Sequence, residues 1–328
     1  MQATSDLTFR YQYLNQDGRP ISWRSYQGTL TQDSIQFKNG TVGYNAVLDS
    51  TTRDNRLVLM LDPQAINLED FPKQLVQGNT LILHISRAKP LVLERYIDRM
   101  SSSCLAERHR QSLVQQGQGD AFRTCICPQC ESTIDVSLLN KTPFVYCRFC
   151  ETVSEDNGPA ITDGEYYRLC DECGWFDHVQ GYTEFYFYFL LVVYGFSSKR
   201  RHLCGTCMNR VFWRALLINL IFVLGIFPTL WMKLKGKAGE NKAFKELSSG
   251  NTSGQKGKLD QAIAQYEIIN SRYPGHPGVA YNQALSYFKA QDGQRGVECL
   301  QDSLKNCSNY SPSVRMINHL QERASATQ

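Results

Sequence analysis

The chain has little net charge, no apolar segment at its N-terminus and no familiar catalytic motif in its N-terminal part. Its 35 Lys and Arg residues exceed its 31 Asp and Glu residues by 4, a surplus too small to indicate a nucleic-acid partner. Residues 1–11 are polar and charged, so we expect no cleavable signal peptide. Residues 5–116 contain no nucleophile motif, phosphate loop or paired acids, which argues against catalysis there.

Cysteine, by contrast, is abundant, because the chain has 12 cysteines and eight of them form Cys-x-x-Cys pairs. The pairs are Cys127/Cys130, Cys147/Cys150, Cys170/Cys173 and Cys204/Cys207. Two intervening residues let one tight turn direct both thiolates at a single ion, and two such turns complete a tetrahedral sulfur site. The pattern therefore predicts two structural Zn²⁺ ions held by these eight cysteines in a reducing compartment, rather than a disulfide framework.

The spacing of the pairs permits two arrangements. Sixteen residues separate the first two pairs, as in a zinc ribbon, and 30 separate the last two. Sequential pairing predicts two tandem zinc ribbons, whereas interleaved pairing predicts a cross-brace like that of RING and FYVE modules. We favour sequential pairing because no histidine stands among the central ligands and the basic residues 199–202 precede the fourth pair. The aromatic run 185–194 predicts either an extended hairpin or a membrane-dipping segment.

Four cysteines stand outside the pairs and are predicted to be free thiols: Cys104, Cys125, Cys299 and Cys307. Of these, Cys125 is an alternative ligand because it adjoins the first pair. His178 and His202 also lie near the pairs, but eight cysteines already saturate two ions, so neither histidine is predicted to bind metal. Saturation leaves no open coordination position for a catalytic zinc, and we expect the chain not to be an enzyme.

Residues 1–117 are predicted to form a β-rich module. Alternating apolar residues and turn signals predict strands within residues 7–13, 28–30, 34–37, 41–44, 57–61 and 81–85. Residues 91–116 have helical spacing instead, so we expect a small β-sandwich or barrel followed by one helix. This order of elements resembles a pleckstrin-homology or GRAM-like module in architecture, without a supporting motif.

Residues 211–235 are predicted to form a membrane-embedded helix. No charged residue stands between Ala215 and Met232, and about 20 apolar residues suffice to cross a bilayer as a helix. Trp213 and Trp231 stand near the two ends, where interfacial tryptophans are common. Positive charge flanks both ends, so a single span, a re-entrant segment and an interfacial helix all fit the pattern.

Residues 256–324 resemble tetratricopeptide repeats. Small, apolar and aromatic residues stand at the offsets of that family: Gly257, Leu259, Ala262, Tyr266, Ile269, Pro274, Ala284, Tyr287 and Leu300. The alanines allow paired helices to approach closely, and the larger side chains fill the space between them. Gly296 departs from the pattern, because alanine is usual there. The resemblance implies stacked helical pairs with a concave surface that binds peptides or partner helices.

Together these features predict a multidomain α+β chain. Its parts are the β-rich module at 1–117, the zinc ribbons at 121–210, the membrane helix at 211–235, a linker with a weak helix at 236–255 and the repeats at 256–324. The predicted function is a non-enzymatic, membrane-attached adaptor or scaffold whose zinc region faces the cytoplasm. Its expected partners are a protein or peptide on the repeats and membrane lipid. The alternatives are a cross-brace ligase or lipid-binding component, and a ribbon that binds nucleic acid, which is the less favoured partner.

Overall fold

A computed structural model describes residues 6–15, 17–53, 55–65, 76–86, 89–190, 193–220, 231 and 244–325. The chain divides into two compact units, Met1–Leu138 and Leu139–Gln328. Each unit combines α-helices with antiparallel strands. The five-part division expected from the sequence stays a prediction.

The first unit is built on one curled antiparallel sheet of eight strands. The strands are β1 Leu7–Tyr13, β2 Tyr26–Leu30, β3 Ser34–Phe37, β4 Gly40–Gly43, β5 Val47–Arg53, β6 Arg56–Leu61, β7 Val76–Gln77 and β8 Thr80–Ser86. Their order is β4-β3-β2-β1-β8-β6-β5, and β7 pairs with β8 outside this path. Helix α1, Pro90–Gln115, starts with a proline whose fixed φ suits the first helical turn.

Alternating burial explains why these segments form strands. In β6, Leu57, Leu59 and Leu61 are buried while the residues between them are not, as the period of a half-buried strand requires. Leu93 and Ile97 of α1 join the same core, so the helix covers the sheet. The six predicted strands and the predicted helix agree with β1 to β4, β6, β8 and α1, whereas β5 and β7 were not predicted. The predicted sandwich or barrel is wrong, because the described residues form one curled sheet that stays open between β4 and β5, a half-barrel.

Two short strands follow α1 and a 3₁₀ turn, Gly119–Ala121: β9, Thr124–Ile126, and β10, Thr133–Asp135. The hydroxyl oxygen of Ser102 on α1 accepts a hydrogen bond of 3.0 Å from the backbone N–H of Thr133. Arg99 of α1 forms an ion pair of 2.7 Å with Glu131 in the loop between the two strands. These contacts hold the loop that carries the first cysteine pair against α1.

The second unit begins with two three-stranded antiparallel sheets. Their strands are β11 Phe144–Tyr146, β12 Val153–Glu155 and β13 Ala160–Thr162, then β14 Tyr167–Leu169, β15 Phe176–Leu190 and β16 Val193–Cys204. Strands β15 and β16 form a long hairpin whose backbone register runs from Val179 opposite Cys204 to Leu190 opposite Val193. The extended hairpin predicted for the aromatic run is therefore present.

The remaining described helices are α2 Gly205–Leu220, α3 Lys245–Gln255, α4 Leu259–Arg272, α5 Pro277–Lys289, α6 Gly293–Asn306 and α7 Ser311–Ser325. Helices α3 and α4 form one pair, α5 and α6 form a second, and α7 packs against α6. Helices α4 and α6 begin at Leu259 and Gly293, 34 residues apart. Helix α3 lies in the segment 236–255, predicted as a linker with a weak helix, and it is a helix of 11 residues that pairs with α4. The tetratricopeptide assignment itself stays a prediction.

Small residues between the helices have clear packing roles. Ala262 and Ala284, predicted to allow close helix approach, are both fully buried. At Gly296 a Cβ atom would lie only 2.4 Å from Cε1 of Phe288. The departure from alanine at this position is therefore explained by the phenylalanine ring that lies over it.

The predicted membrane helix is wrong. Within the ranges that the structure describes, no helix is both long enough and apolar enough to cross a membrane. The same finding overturns the fold class that included this helix and the membrane location with the zinc region facing the cytoplasm. Of the predicted span 211–235, residues 221–230 and 232–235 lie outside the described residues.

Residues 211–220 belong to α2, and packing against the cysteine region accounts for some of their apolar side chains, whereas Leu217 and Ile218 are exposed. Met208, Val211 and Phe212 of this helix are buried in a cluster that also contains Cys204 and Cys207. The apolar face of α2 therefore packs on the cysteine-bearing end of the β15/β16 hairpin.

Candidate metal centres

Three of the four Cys-x-x-Cys segments form the same backbone turn. The N–H of Cys170 donates to the carbonyl oxygen of Trp175 at 2.9 Å, and the N–H of Gly174 donates to the carbonyl oxygen of Cys170 at 2.8 Å. The first two pairs form the equivalent bonds, each from a backbone N–H to a carbonyl oxygen. The donor and acceptor residues are Cys127 and Ser132, Glu131 and Cys127, Cys147 and Thr152, and Glu151 and Cys147. Each turn is thus closed by its own backbone, and the two residues between the cysteines take no part in these bonds.

The residue after the second cysteine has left-handed backbone geometry in all three turns. Its φ is 61° at Glu131, 64° at Glu151 and 73° at Gly174. This geometry suits glycine, whereas an ordinary L-residue pays roughly 1–2 kcal/mol for it. Two glutamates remain in this conformation, which indicates that the surrounding structure fixes the shape of both turns.

The fourth pair joins the end of a strand to the start of a helix. Cys204 is the last residue of β16, and Cys207 lies in the first turn of α2. The backbone N–H of Cys204 donates to Sγ of Cys170 at 3.3 Å. The N-terminus of a helix favours negative charge, so this position suits a thiolate. The register of the long hairpin therefore brings the fourth pair to the third.

The eight cysteines assemble into two groups of four in sequential order. The groups are Cys127, Cys130, Cys147 and Cys150, and Cys170, Cys173, Cys204 and Cys207. Within each group all sulfur atoms lie within 4.8 Å of one another. Sulfurs bound at about 2.3 Å to a tetrahedral ion would be about 3.8 Å apart, so each group could hold one metal ion. In the second group, Sγ of Cys173 and Sγ of Cys204 are 4.0 Å apart, which fits that geometry. The sequential arrangement is confirmed, and the interleaved cross-brace is wrong.

The thiols of the second group control one another's charge. Hydrogen bonds from Cys173, and then from Cys204 and Cys207, hold the pKa of the Cys170 thiol far below its ordinary value. Hydrogen bonding to Cys170 raises the pKa of the Cys204 and Cys207 thiols well above theirs. Four buried or half-buried thiols so close together cannot all ionise unaided, whereas a cation at their centre would let all four carry negative charge.

The residues between Cys170 and Cys173 tie their turn to β16. The carboxylate of Asp171 accepts a hydrogen bond of 2.7 Å from the backbone N–H of His202. The guanidinium of Arg201 donates to Oε2 of Glu172 at 2.6 Å, and both side chains are largely buried. Arg201 and His202 belong to the basic run 199–202 that precedes the fourth cysteine pair. Both contact the acidic residues of the cysteine turn.

The Cys147 turn has its own supports within the second unit. Sγ of Cys150 and Oγ1 of Thr152 are hydrogen-bonded at 3.3 Å, and Oγ1 of Thr152 accepts from the N–H of Gly164 at 3.1 Å. A Cβ atom at Gly164 would lie 1.9 Å from the carbonyl oxygen of Cys150, so only glycine fits there. Glu151 forms an ion pair with Arg168 of β14. The turn is thereby connected to the strand that precedes Cys170.

The other candidate ligands lie outside both groups among the residues that the structure describes. The buried thiol of Cys125, the alternative ligand that the sequence left open, contacts the backbone oxygen of Ile134 at 3.9 Å and belongs to neither group of four. The ring of His178 stacks on Tyr166, with ring centroids 6.1 Å apart. Neither His178 nor His202 joins a group, and three cysteines also remain outside: Cys104, Cys299 and Cys307.

Two asparagines of the helical pairs bond the backbone of Phe176, the first residue of β15. The N–H of Phe176 donates to Oδ1 of Asn282 at 3.0 Å, and Nδ2 of Asn282 donates to the carbonyl oxygen of Phe176 at 2.6 Å. Nδ2 of Asn251 donates to the same carbonyl oxygen at 2.9 Å. Both asparagines are completely buried, at 1% and 0% exposure. Sequence reasoning misses this contact, because Phe176 and Asn282 stand 106 positions apart.

A third asparagine holds the strand that leads into Cys147. The N–H of Tyr146 donates to Oδ1 of Asn309 at 2.9 Å, and Nδ2 of Asn309 donates to the carbonyl oxygen of Tyr146 at 2.8 Å. Asn309 lies between α6 and α7. Side chains of the helical region therefore form hydrogen bonds with the backbone next to Cys147 and next to the Cys170 turn.

No protein-family model, no curated protein and no solved structure matches the chain.

Proposed function

We propose that this chain is a non-enzymatic scaffold that binds two structural zinc ions and recognises polypeptide through its helical pairs. The observation that carries the zinc part is the presence of two complete sets of four cysteine sulfurs, each set within 4.8 Å. Thiolates are soft ligands, and a tetrahedral set of four favours zinc over harder cations. Because protein fills all four positions, none remains for a substrate or an activated water.

The surroundings of the second group support a structural role for its ion. Cys170, Cys204 and Cys207 share a buried cluster with Val179 of the hairpin and Phe212 of α2. A zinc ion there would hold the hairpin, the Cys170 turn and α2 together. Structural zinc contributes about 10–16 kcal/mol of binding free energy in small modules, enough to determine whether such a region folds.

The helical pairs support the protein-binding part. The offset of 34 residues from Leu259 to Gly293 equals the length of a tetratricopeptide repeat, whose stacked helices commonly bind polypeptide. Asn251 and Asn282 already bond both polar groups of one peptide backbone in an extended segment. Such main-chain hydrogen bonds provide affinity for a polypeptide, and neighbouring side-chain pockets provide selectivity.

Elemental analysis of the purified full chain tests the metal part of this function. We expect zinc at two ions per chain, retained after dialysis, and no comparable amount of iron or copper. Dialysis against a strong chelator should remove the zinc and lower the free energy of unfolding. A purified, folded chain without bound zinc, or one whose stability is unchanged by its removal, would contradict the proposal.

A further inference from the structure

The face formed by α3 and α5 is filled by a segment of the chain's own cysteine region. Trp175 and Phe176 lie on this face and are 7% and 2% exposed. They belong to the same buried cluster as Leu247 of α3 and Val279 of α5. The helical pairs therefore hold an extended, aromatic segment in a position where a bound peptide could lie.

Two glycines let the aromatic rings lie directly on the helices. A Cβ atom at Gly278 of α5 would be 2.6 Å from Cδ1 of Phe176, and one at Gly254 of α3 would be 2.7 Å from Cη2 of Trp175. Glycine within a helix costs about 0.5–1 kcal/mol relative to alanine. The close approach of the rings gives both glycines a physical reason, and it shapes the face for aromatic side chains.

The polar side chains of this face have all their hydrogen-bond partners only when a peptide group lies on it. Oδ1 of Asn251 accepts hydrogen bonds from Nδ2 of Asn282 at 2.8 Å and from the hydroxyl of Tyr266 at 2.9 Å. Both asparagine side chains also bond the backbone of Phe176, and the side chain of Asn251 bonds the carboxyl group of Asp177. Buried polar groups that lose their partners cost about 1–3 kcal/mol each. If the segment left, another backbone group or water would have to replace it.

The position of this segment is coupled to the second cysteine group. The carbonyl oxygen of Trp175 accepts the N–H of Cys170 at 2.9 Å, so Trp175 closes the turn that carries Cys170 and Cys173. Cys173 itself packs against the cluster that contains Trp175 and Phe176. An ion that fixes this turn therefore also fixes the segment on α3 and α5.

We propose that the α3/α5 face is a peptide-binding site, which the chain occupies with its own residues Trp175–Asp177. Metal bound in the second cysteine group keeps these residues in the site. The ligand is an extended segment of a partner protein with an aromatic residue in the place of Phe176, whose N–H and carbonyl group bond Asn282. The inference rests on the proposed function, since it requires zinc in that group. If the face is open in one molecule in about a hundred, the apparent affinity for such a ligand falls about 100-fold.

Fluorescence anisotropy on the full chain tests this proposal, with a labelled peptide that reproduces residues 174–180 as the probe. We expect the zinc-loaded chain to bind the peptide at least 10-fold more weakly than the chelator-treated chain. The zinc-loaded Phe176→Ala variant should bind at least 10-fold more tightly than the zinc-loaded wild type, because its own segment has lost the anchoring ring. Adding Asn282→Ala to this variant should abolish binding. Adding Asn318→Ala, on the exposed side of α7, should leave binding unchanged.

Circular dichroism and metal analysis of the chelator-treated chain show whether its helices stay folded without zinc, and this determines which binding comparison tests the inference. If the helices stay folded without zinc, equal binding in the presence and absence of zinc overturns the inference. If they unfold, the zinc-loaded Phe176→Ala variant decides, and its failure to bind the peptide while folded overturns the inference. Both results would leave the zinc-binding scaffold intact. A wild-type chain that is already folded and free of zinc when purified, before any chelator is added, would instead overturn the proposed function.

Discussion

The side-chain amide of Asn309 pairs with the backbone of Tyr146 as a second strand would, through one donated and one accepted hydrogen bond. The two residues stand 163 positions apart. Tyr146 directly precedes Cys147, and its ring packs edge-on against Tyr310 with centroids 5.1 Å apart. The junction of α6 and α7 therefore positions the strand that leads into a cysteine turn.

Replacing Asn309 with alanine removes both hydrogen bonds and leaves the N–H and the carbonyl oxygen of Tyr146 without their partner. We expect the free energy of unfolding in urea to fall by about 2–3 kcal/mol, since each unsatisfied buried group costs about 1–3 kcal/mol. Asn318→Ala, an exposed change on α7, serves as the control and should alter it by no more than about 0.5 kcal/mol. Equal losses in the two variants would show that the paired bonds contribute nothing.

Single cysteine substitutions should separate the two metal sites. In the cobalt-substituted chain, Cys147→Ser and Cys204→Ser should each remove about half of the sulfur-to-cobalt absorption, because each changes one complete tetrahedral set. Cys299→Ser, outside both groups, should leave the absorption unchanged. If either single substitution removed all of the absorption, the two groups would not be independent sites.

His276 should make stability depend on pH. Its imidazole is fully buried near the rings of Phe144, Phe176 and Phe244, and Nδ1 accepts the N–H of Gly278 at 3.2 Å. Burial lowers the pKa of His276 from 6.5 to about 3. Between these values the unfolded chain binds a proton that the folded chain does not, so this histidine makes stability fall as pH drops from about 6.5 towards 3.

The test compares wild type with His276→Asn, which keeps a neutral helix cap and removes the titration. The stability advantage of wild type should shrink by about 1.4 kcal/mol per pH unit below about 6.5. Measuring the difference matters, because burial raises the pKa of Asp177 to about 7. As pH falls, Asp177 is protonated in the folded chain before it is protonated in the unfolded chain. This stabilises the fold at lower pH and opposes the effect of His276. A constant difference from pH 7 to pH 4 would disprove the assignment.

Two glycine-to-alanine changes in neighbouring helices should act in opposite directions. At Gly278 the new Cβ would meet the ring of Phe176 at 2.6 Å, so we expect a loss of about 1–3 kcal/mol from overpacking. At Gly293, the first residue of α6, a Cβ meets nothing within 4 Å. Gly293→Ala should therefore be neutral or stabilise by up to about 1 kcal/mol. Thermal unfolding of the two variants checks the signs, and a shared sign would contradict this account.

Local patterns predicted the cysteine groups and most of the first unit. A Cys-x-x-Cys turn is closed by bonds within six residues, as between Cys170 and Trp175, so its geometry follows from a short sequence. The alternation of Leu57, Leu59 and Leu61 likewise specifies which face of a strand is buried. The contacts of Asn282 and Asn309 could not be foreseen, because a buried asparagine leaves no periodic signal and its partner lies in a distant segment.

Hydropathy misled the interpretation of residues 211–220 for a physical reason. A sliding count of apolar residues cannot distinguish a helix in lipid from one whose apolar face packs on another part of the protein. Val211 and Phe212 are buried against the cysteine-bearing end of the hairpin, whereas Arg210 and Arg214 are exposed. The start of α2 at Gly205, within the fourth cysteine pair, ties it to that core.

The backbone closure of the three cysteine turns leaves the two inner residues of each turn open to change. Asp171 and Glu172 use this freedom to bind β16, while Pro128 and Gln129 occupy the same places in the first turn. Ligand geometry and surface chemistry are thus encoded by different atoms of one short loop. New contacts could be grafted onto these positions, by evolution or by design, without disturbing the sulfur atoms that the turn presents.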